Sequence, residues 1–147
     1  MKINIKKLNE NAIIPKYQTN GSIAFDLHTI SDVKWKHIEP NLYEAIINTG
    51  LAFEVPECYG MFIFPRSGTG FKYNVHLANG TGLIDSDYRG EIKIKLISIH
   101  HSMPPNFKAN ERIAQASIIP IIQAKFSEVD NLSQTERGES GFGSTGA

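Results

Sequence analysis

Apolar and polar residues alternate along most of this chain with a period of two. Ile3/Ile5, Phe25/Leu27, Val33/Trp35, Ala45/Ile47, Leu51/Phe53, Met61/Ile63 and Ile92/Ile94/Leu96 all carry that spacing. In an extended strand, positions i and i+2 share a face, so the pattern predicts short, half-buried strands. The apolar run from Ile113 to Ile122 and the Lys125-Phe126 pair extend the series. Gly, Pro, Asn and Ser interrupt it at short intervals, which predicts an all-β sandwich, barrel or jelly roll. Only Ser67 to Tyr73, after Pro65-Arg66, is a candidate helix, and Gly68 and Gly70 limit it to a short turn.

The stretch Gly82 to Glu91, reading GLIDSDYRGE, organises the chain. Val75 to Ala78 before it and Ile92 to Leu96 after it both read as strands, so it is predicted as a connection within a β-hairpin. Asp85 and Asp87 lie two residues apart, bracketed by Gly82 and Gly90. Such a connection can hold an acid at the rim of a pocket, although acids beside glycine also serve as plain turn formers. The adjacent His100 and His101 fall in a predicted loop; neighbours on an extended segment point to opposite faces, which disfavours metal binding.

From Asp130 the character changes. Residues 131–147 contain few apolar side chains and one aromatic, Phe142, so this segment is expected to lie outside the core formed by 1–130. Arg137-Gly138 and the run Gly141 to Gly146 place a cation, an aromatic ring, glycines and hydroxyls together. Such groups can pair with phosphate and cover a base; they also occur in frayed tails.

Composition narrows the classes. A chain of 147 residues is one domain by length, with 15 basic and 15 acidic residues. Without a basic excess, duplex nucleic acid is not the expected partner. Cys58 is the lone cysteine, so an intrachain disulfide is excluded and a reducing compartment fits. The alternating N-terminus lacks a signal-peptide block, and no apolar run is long enough for a membrane helix. A cytoplasmic protein is expected, in a bacterium or in a host cell if phage- or virus-encoded.

Five blocks stand in order: Ser22-Ile23-Ala24-Phe25-Asp26-Leu27, Pro65-Arg66-Ser67-Gly68, Asn79 to Glu91, Glu111-Arg112-Ile113-Ala114-Gln115, and Arg137 to Gly146. Their order and content resemble the five motifs of the homotrimeric dUTPases, the deoxyuridine triphosphate nucleotidohydrolases. The resemblance implies a small β-barrel or jelly roll in three copies, with active sites shared between subunits and closed by an exchanged C-terminal arm. It implies the reaction of dUTP and water to dUMP and pyrophosphate, with Mg2+ on the triphosphate. Such an enzyme keeps uracil out of DNA and supplies dUMP for thymidylate synthesis.

The resemblance also assigns roles. Asp85 matches the general base, whose carboxylate is ionised at neutral pH and would activate the water attacking the α-phosphate. Arg66, Ser67 and Gly68 match the phosphate-binding second motif, and Gln115 a glutamine contacting the α-phosphate and the water. Asp26 would hold Mg2+ through water, because Mg2+ keeps several of its own waters. Asn79, Gly82, Leu83 and Ile84 would read the uracil edge, Tyr88 would pack under the deoxyribose, and Lys93 would make a further substrate contact. In the arm, Phe142 would cover the base, with Arg137, Gly143, Ser144 and Thr145 at the outer phosphates. Arg112 fits a structural ion pair or a phosphate contact.

Some positions depart from the family pattern. Ala24 replaces a glycine and demands an ordinary backbone angle. Asn74 and Asn110 stand at usual glycine positions, where asparagine tolerates the left-handed region. Ser98 lies near a usual strand asparagine and is expected to alter a subunit contact rather than chemistry, while Gly80-Thr81 is expected to loosen the uracil pocket. Two rival readings are a dCTP deaminase-like enzyme, which needs an acid beside the cytosine amino group that the hairpin does not evidently supply, Glu91 being better placed as a turn or strand residue, and a regulatory protein switched by dUTP.

Overall fold

The computed structural model describes residues 1–99 and 103–141. His100 and His101 lie outside the described residues, as do Phe142, Gly143, Ser144 and Thr145. Among the described residues, ten strands and one short helix follow in order: β1 (Asn4–Lys7), β2 (Phe25–His28), β3 (Lys36–Glu39), β4 (Leu42–Asn48), β5 (Leu51–Glu54), β6 (Tyr59–Phe64), α1 (Ser67–Tyr73), β7 (Val75–Leu77), β8 (Gly82–Ile84), β9 (Lys93–Ile99) and β10 (Arg112–Pro120).

Two four-stranded antiparallel sheets form the body, ordered β2-β10-β6-β8 and β3-β4-β9-β7, with β1 and β5 as a separate pair. Their inward positions supply one core. Leu27, Met61 and Ile113 from the first sheet and Val75, Ile92 and Leu96 from around the second are almost fully buried. Each such side chain contributes about 1.5–3 kcal/mol of hydrophobic stabilisation.

The hairpin around Gly82 proves to be more than a loop. β7 and β9 pair directly, Val75 opposite Ser98 and Leu77 opposite Leu96. Between them the chain crosses to the other sheet, where β8 pairs with β6. The crossing depends on Gly82, because a Cβ there would stand 3.0 Å from Ile63 Cβ.

α1 ends as its sequence suggests. Asn74 adopts the left-handed conformation at φ 51° and its amide nitrogen donates to the Ile99 carbonyl at 2.7 Å, tying the helix end to β9. Asn110 is also left-handed, at φ 69°, whereas Ala24 is not.

Three expectations need correction. Val33/Trp35 precedes a strand instead of forming one, because Trp35 turns sideways to donate to the Pro105 carbonyl and pack on Phe107. Lys125-Phe126 forms no strand; every residue from 121 to 141 is exposed and outside helix or strand. Ser98 is fully buried within the chain and its hydroxyl has no partner, so it is no surface contact. Among the described residues, no helix is long and apolar enough to cross a membrane.

Candidate active site

The predicted site residues fall into two clusters on the same sheet. The first centres on Asp26 in β2. Phe25 and Leu27 face the core, so Asp26 points to the other face, yet it is only 8% exposed. Two guanidinium groups and an amide cover it: Arg66 Nε donates to Oδ1 at 2.9 Å, while Arg112 Nη1 at 3.4 Å and the Gln18 amide at 3.3 Å donate to Oδ2. Arg66 also donates to the Arg112 carbonyl at 3.3 Å.

Arg112 reaches this face because of a bulge. Gln115 pairs with Asp26, Ala114 with Leu27 and Arg112 with His28, which leaves Ile113 as an extra residue in β10. Without it, alternation would point Arg112 into the core and Ile113 towards the arginines. The bulge gives Ile113 to the core, where it is 0% exposed, and Arg112 to Asp26. Gln115, directly opposite Asp26, donates its amide to the Pro65 carbonyl at 3.0 Å, fixing the segment that leads into Arg66.

Ser67 and Gly68 begin α1, and a helix's first N–H groups have no acceptors within the helix. They therefore sit beside Arg66 as donors available to an anion. The cluster carries two guanidinium groups against one carboxylate, a net positive charge among its ionised groups. Sequence reasoning missed two members. Gln18 arrives from the preceding loop and carried no signal. His28 could have been found, since it lies two residues after Asp26 on the same strand face. Burial, more than its charged neighbours, lowers the His28 pKa below the usual 6.5, and Nδ1 is buried without a partner.

The second cluster surrounds β8. Asn79, Gly82, Leu83, Ile84 and Lys93 line a cavity of about 380 Å³ floored by Ile63, Leu77 and Ile94. That combination of an apolar floor and a few polar groups suits a small planar ring. Asp85 follows β8 directly, is exposed, and borders a second cavity of about 860 Å³ between the Cys58 turn and Ile121 to Gln123.

The loop after Asp85 is tightly tied. The Tyr88 N–H donates to the Asp85 carbonyl at 3.2 Å, and the Tyr88 hydroxyl to the Glu91 carbonyl at 3.1 Å. Arg89 donates to the Ser86 carbonyl at 2.6 Å. The Glu91 carboxylate accepts the Gly50 N–H at 2.9 Å, so it is used in bracing the loop's end. In the tail, Arg137 Nε donates to the Ser140 carbonyl at 3.1 Å.

The two clusters do not meet. Ile84 pairs with Met61 near the start of β6, so Asp85 leaves the sheet beside Gly60, while Arg66 follows the far end of β6. From Gly60 to Phe64 the strand runs four residue steps, about 13 Å, and Pro65 and Arg66 lie beyond its end. The Arg66 side chain then turns to Asp26 on β2, the edge strand opposite β8.

Two antiparallel sheets, with a cationic cluster around Asp26, a ring-sized pocket around β8 and Asp85 on a separate cavity, form a jelly-roll-like protein. The dUTPase family model matches residues 10–146, and the chain belongs to the dUTPase family. It is 53% identical to the deoxyuridine 5'-triphosphate nucleotidohydrolase of Nautilia profundicola, covering 99% of both chains. It is 44% identical to the enzyme of that name from Helicobacter hepaticus, covering 99% of this chain and 89% of the relative. Among solved structures, a mutant Staphylococcus bacteriophage 80alpha dUTPase with dUpNHpp superposes with a TM-score of 0.82 at 26% identity, covering 99% of both chains. A mutant dUTPase of S. aureus phage phi11, described with a structural Mg(II) ion, shares the fold at TM-score 0.79 and 20% identity, covering 91% of this chain and all of that one.

Proposed function

We propose that this chain is a dUTP diphosphatase that hydrolyses dUTP to dUMP and pyrophosphate at sites completed by neighbouring copies of itself. The carrying observation is the separation of Asp85 from Arg66 along β6. A general base must lie within hydrogen-bond reach of the reacting centre, directly or through one water. A strand interval of about 13 Å, with Pro65 and Arg66 still beyond it, argues against Asp85 and Arg66 of one copy serving one α-phosphate. Joining the Asp85 end of one copy to the Arg66 end of the next restores the site, and a closed ring of three copies repeats that contact without leaving free ends.

In this arrangement the pocket around Asn79, Gly82, Leu83, Ile84 and Lys93 takes the uracil ring. Tyr88 packs under the deoxyribose, where a 2'-hydroxyl would meet its ring. Asp85 accepts a proton from the water that attacks the α-phosphorus, and the bond from that phosphorus to the bridging oxygen of pyrophosphate breaks. Arg66, Ser67, Gly68 and Gln115 of the neighbouring copy stabilise the charge that develops on the phosphate oxygens. Residues 131–147 act as an arm over the site, with Arg137, Phe142, Gly143, Ser144 and Thr145 on the nucleotide; excluding bulk water strengthens each of these interactions.

Mg2+ fits this donor set as an ion carried by the triphosphate. Among the described residues no group of three His, Cys, Asp or Glu side chains could hold a metal directly. Three protein donors already use the Asp26 carboxylate, which has about four lone-pair sites, leaving room for a water held by the ion. Bound there, Mg2+ would neutralise phosphate charge. Cytoplasmic action agrees with the bacterial relatives and the exposed thiol of Cys58.

The test has two arms. Pyrophosphate release is measured with dUTP, dTTP, dCTP and UTP, and ammonia release with dCTP; turnover confined to dUTP is expected, and comparable ammonia release would establish the deaminase instead. Separately, Asp85→Asn and Arg66→Gln proteins, each nearly inactive, are dissociated, mixed and reassociated. Recovered activity in the mixture is the expected result, since some interfaces then pair two intact ends; continued inactivity would overturn the shared site.

A further inference from the structure

The bonding of Asp26 is unequal on its two oxygens. Oδ1 has a single short partner, Arg66 at 2.9 Å, whose side chain is 27% exposed and is also held by the Arg112 carbonyl. Oδ2 has two longer ones, Arg112 at 3.4 Å and Gln18 at 3.3 Å. The Arg112 side chain is 47% exposed, against 10% for that of Asp26. One arginine is therefore built in, while the other rests against the carboxylate with its guanidinium near solvent.

Resting on the reading of this cluster as the triphosphate site, we infer that Gln18 is a positioning residue that retains Asp26 Oδ2 when Arg112 turns from the carboxylate to the substrate. An incoming polyphosphate is a stronger partner for Arg112 than a carboxylate that Arg66 already neutralises in part. If Arg112 were the only donor to Oδ2, its departure would leave a buried oxygen unpaired, and that cost would be subtracted from nucleotide affinity. Gln18 is uncharged, so phosphate does not compete for it as strongly, and its exposed loop position lets it follow a small movement of the carboxylate. The amide thus lowers the cost of releasing Arg112 and keeps Arg66 aligned through the same carboxylate.

The test is a double-mutant cycle. Gln18→Met keeps the side-chain length and removes the donor; Arg112→Gln removes the mobile cation. The full-length single and double variants are titrated with a non-hydrolysable dUTP analogue and Mg2+, and inhibition by deoxyuridine, which has no phosphate, is measured alongside. Gln18→Met should weaken the analogue about fivefold, the loss of one hydrogen bond, with deoxyuridine inhibition and the melting temperature unchanged. In the Arg112→Gln background the same change should have no further effect. Additive losses, no loss with Gln18→Met, or equal weakening of deoxyuridine would overturn the assignment. Failure of the unmodified protein to bind the analogue would instead remove the dUTP reading beneath it.

Discussion

The Tyr88 ring lies directly over Gly90. A Cβ on Gly90 would stand 2.6 Å from Tyr88 Cζ and 3.0 Å from Cε2, closer than non-bonded atoms approach. The glycine is required by the tyrosine, not by its own backbone angle, and the contact fixes the ring while its hydroxyl bonds Glu91. Gly90→Ala should displace the ring, lower kcat/KM for dUTP about 10- to 100-fold, and narrow the preference for dUTP over UTP. Steady-state kinetics on both nucleotides check it; an unchanged ratio would mean that Tyr88 does not guard the 2'-position.

Asp85→Asn tests the base. The amide keeps the size of the carboxylate but cannot take the proton. Turnover should fall about 10²- to 10⁴-fold while affinity for a non-hydrolysable analogue stays within a few-fold. Turnover within a few-fold of the unmodified protein would remove Asp85 from that role.

Ending the chain at Glu136 tests the arm. Residues 121–141 are exposed throughout, so their loss should leave the folded core and its oligomeric state intact. Light scattering should report the same assembly and kinetics a severe loss of dUTP turnover. Dissociation into single copies would make the segment structural instead.

His28 sets a pH dependence. Because the fold lowers its pKa, chiefly by burial, the unfolded chain binds a proton more readily. The resulting stability is fully present above the unfolded value near 6.5 and is lost as the pH falls through the lower folded value. The melting temperature of the unmodified protein should therefore decline between pH 7.5 and 5.5 more than that of His28→Gln. Parallel curves would assign the acid limb to other groups.

The pattern of residues along the chain determined much of this. Period-two spacing located most strands, including β2 at Phe25/Leu27 and β9 at Ile94/Leu96, because a strand's alternation is a local property. Asn74 and Asn110 announced left-handed turns for the same local reason. The chemistry-bearing types, Asp85 beside Gly82 and Tyr88 or Arg66 before Ser67, could be read because their order and spacing are covalent facts. Trp35 was misplaced because its direction answers to Pro105, seventy positions away.

What only the tertiary structure decided is which of these groups share a place. The extra residue in β10 turns Arg112 to Asp26, and nothing in the local sequence announces a bulge whose partner strand lies more than eighty residues earlier. Gln18 joins the same carboxylate only because the preceding loop folds back over β2. Asp85 and Arg66, nineteen positions apart along the chain, are driven to opposite ends of β6 because β8 enters the sheet antiparallel to it. Pairing direction and register are non-local properties, fixed by how the sheets bury their apolar faces. They, and not the residues' separation in the chain, place Asp85 and Arg66 at opposite ends of β6.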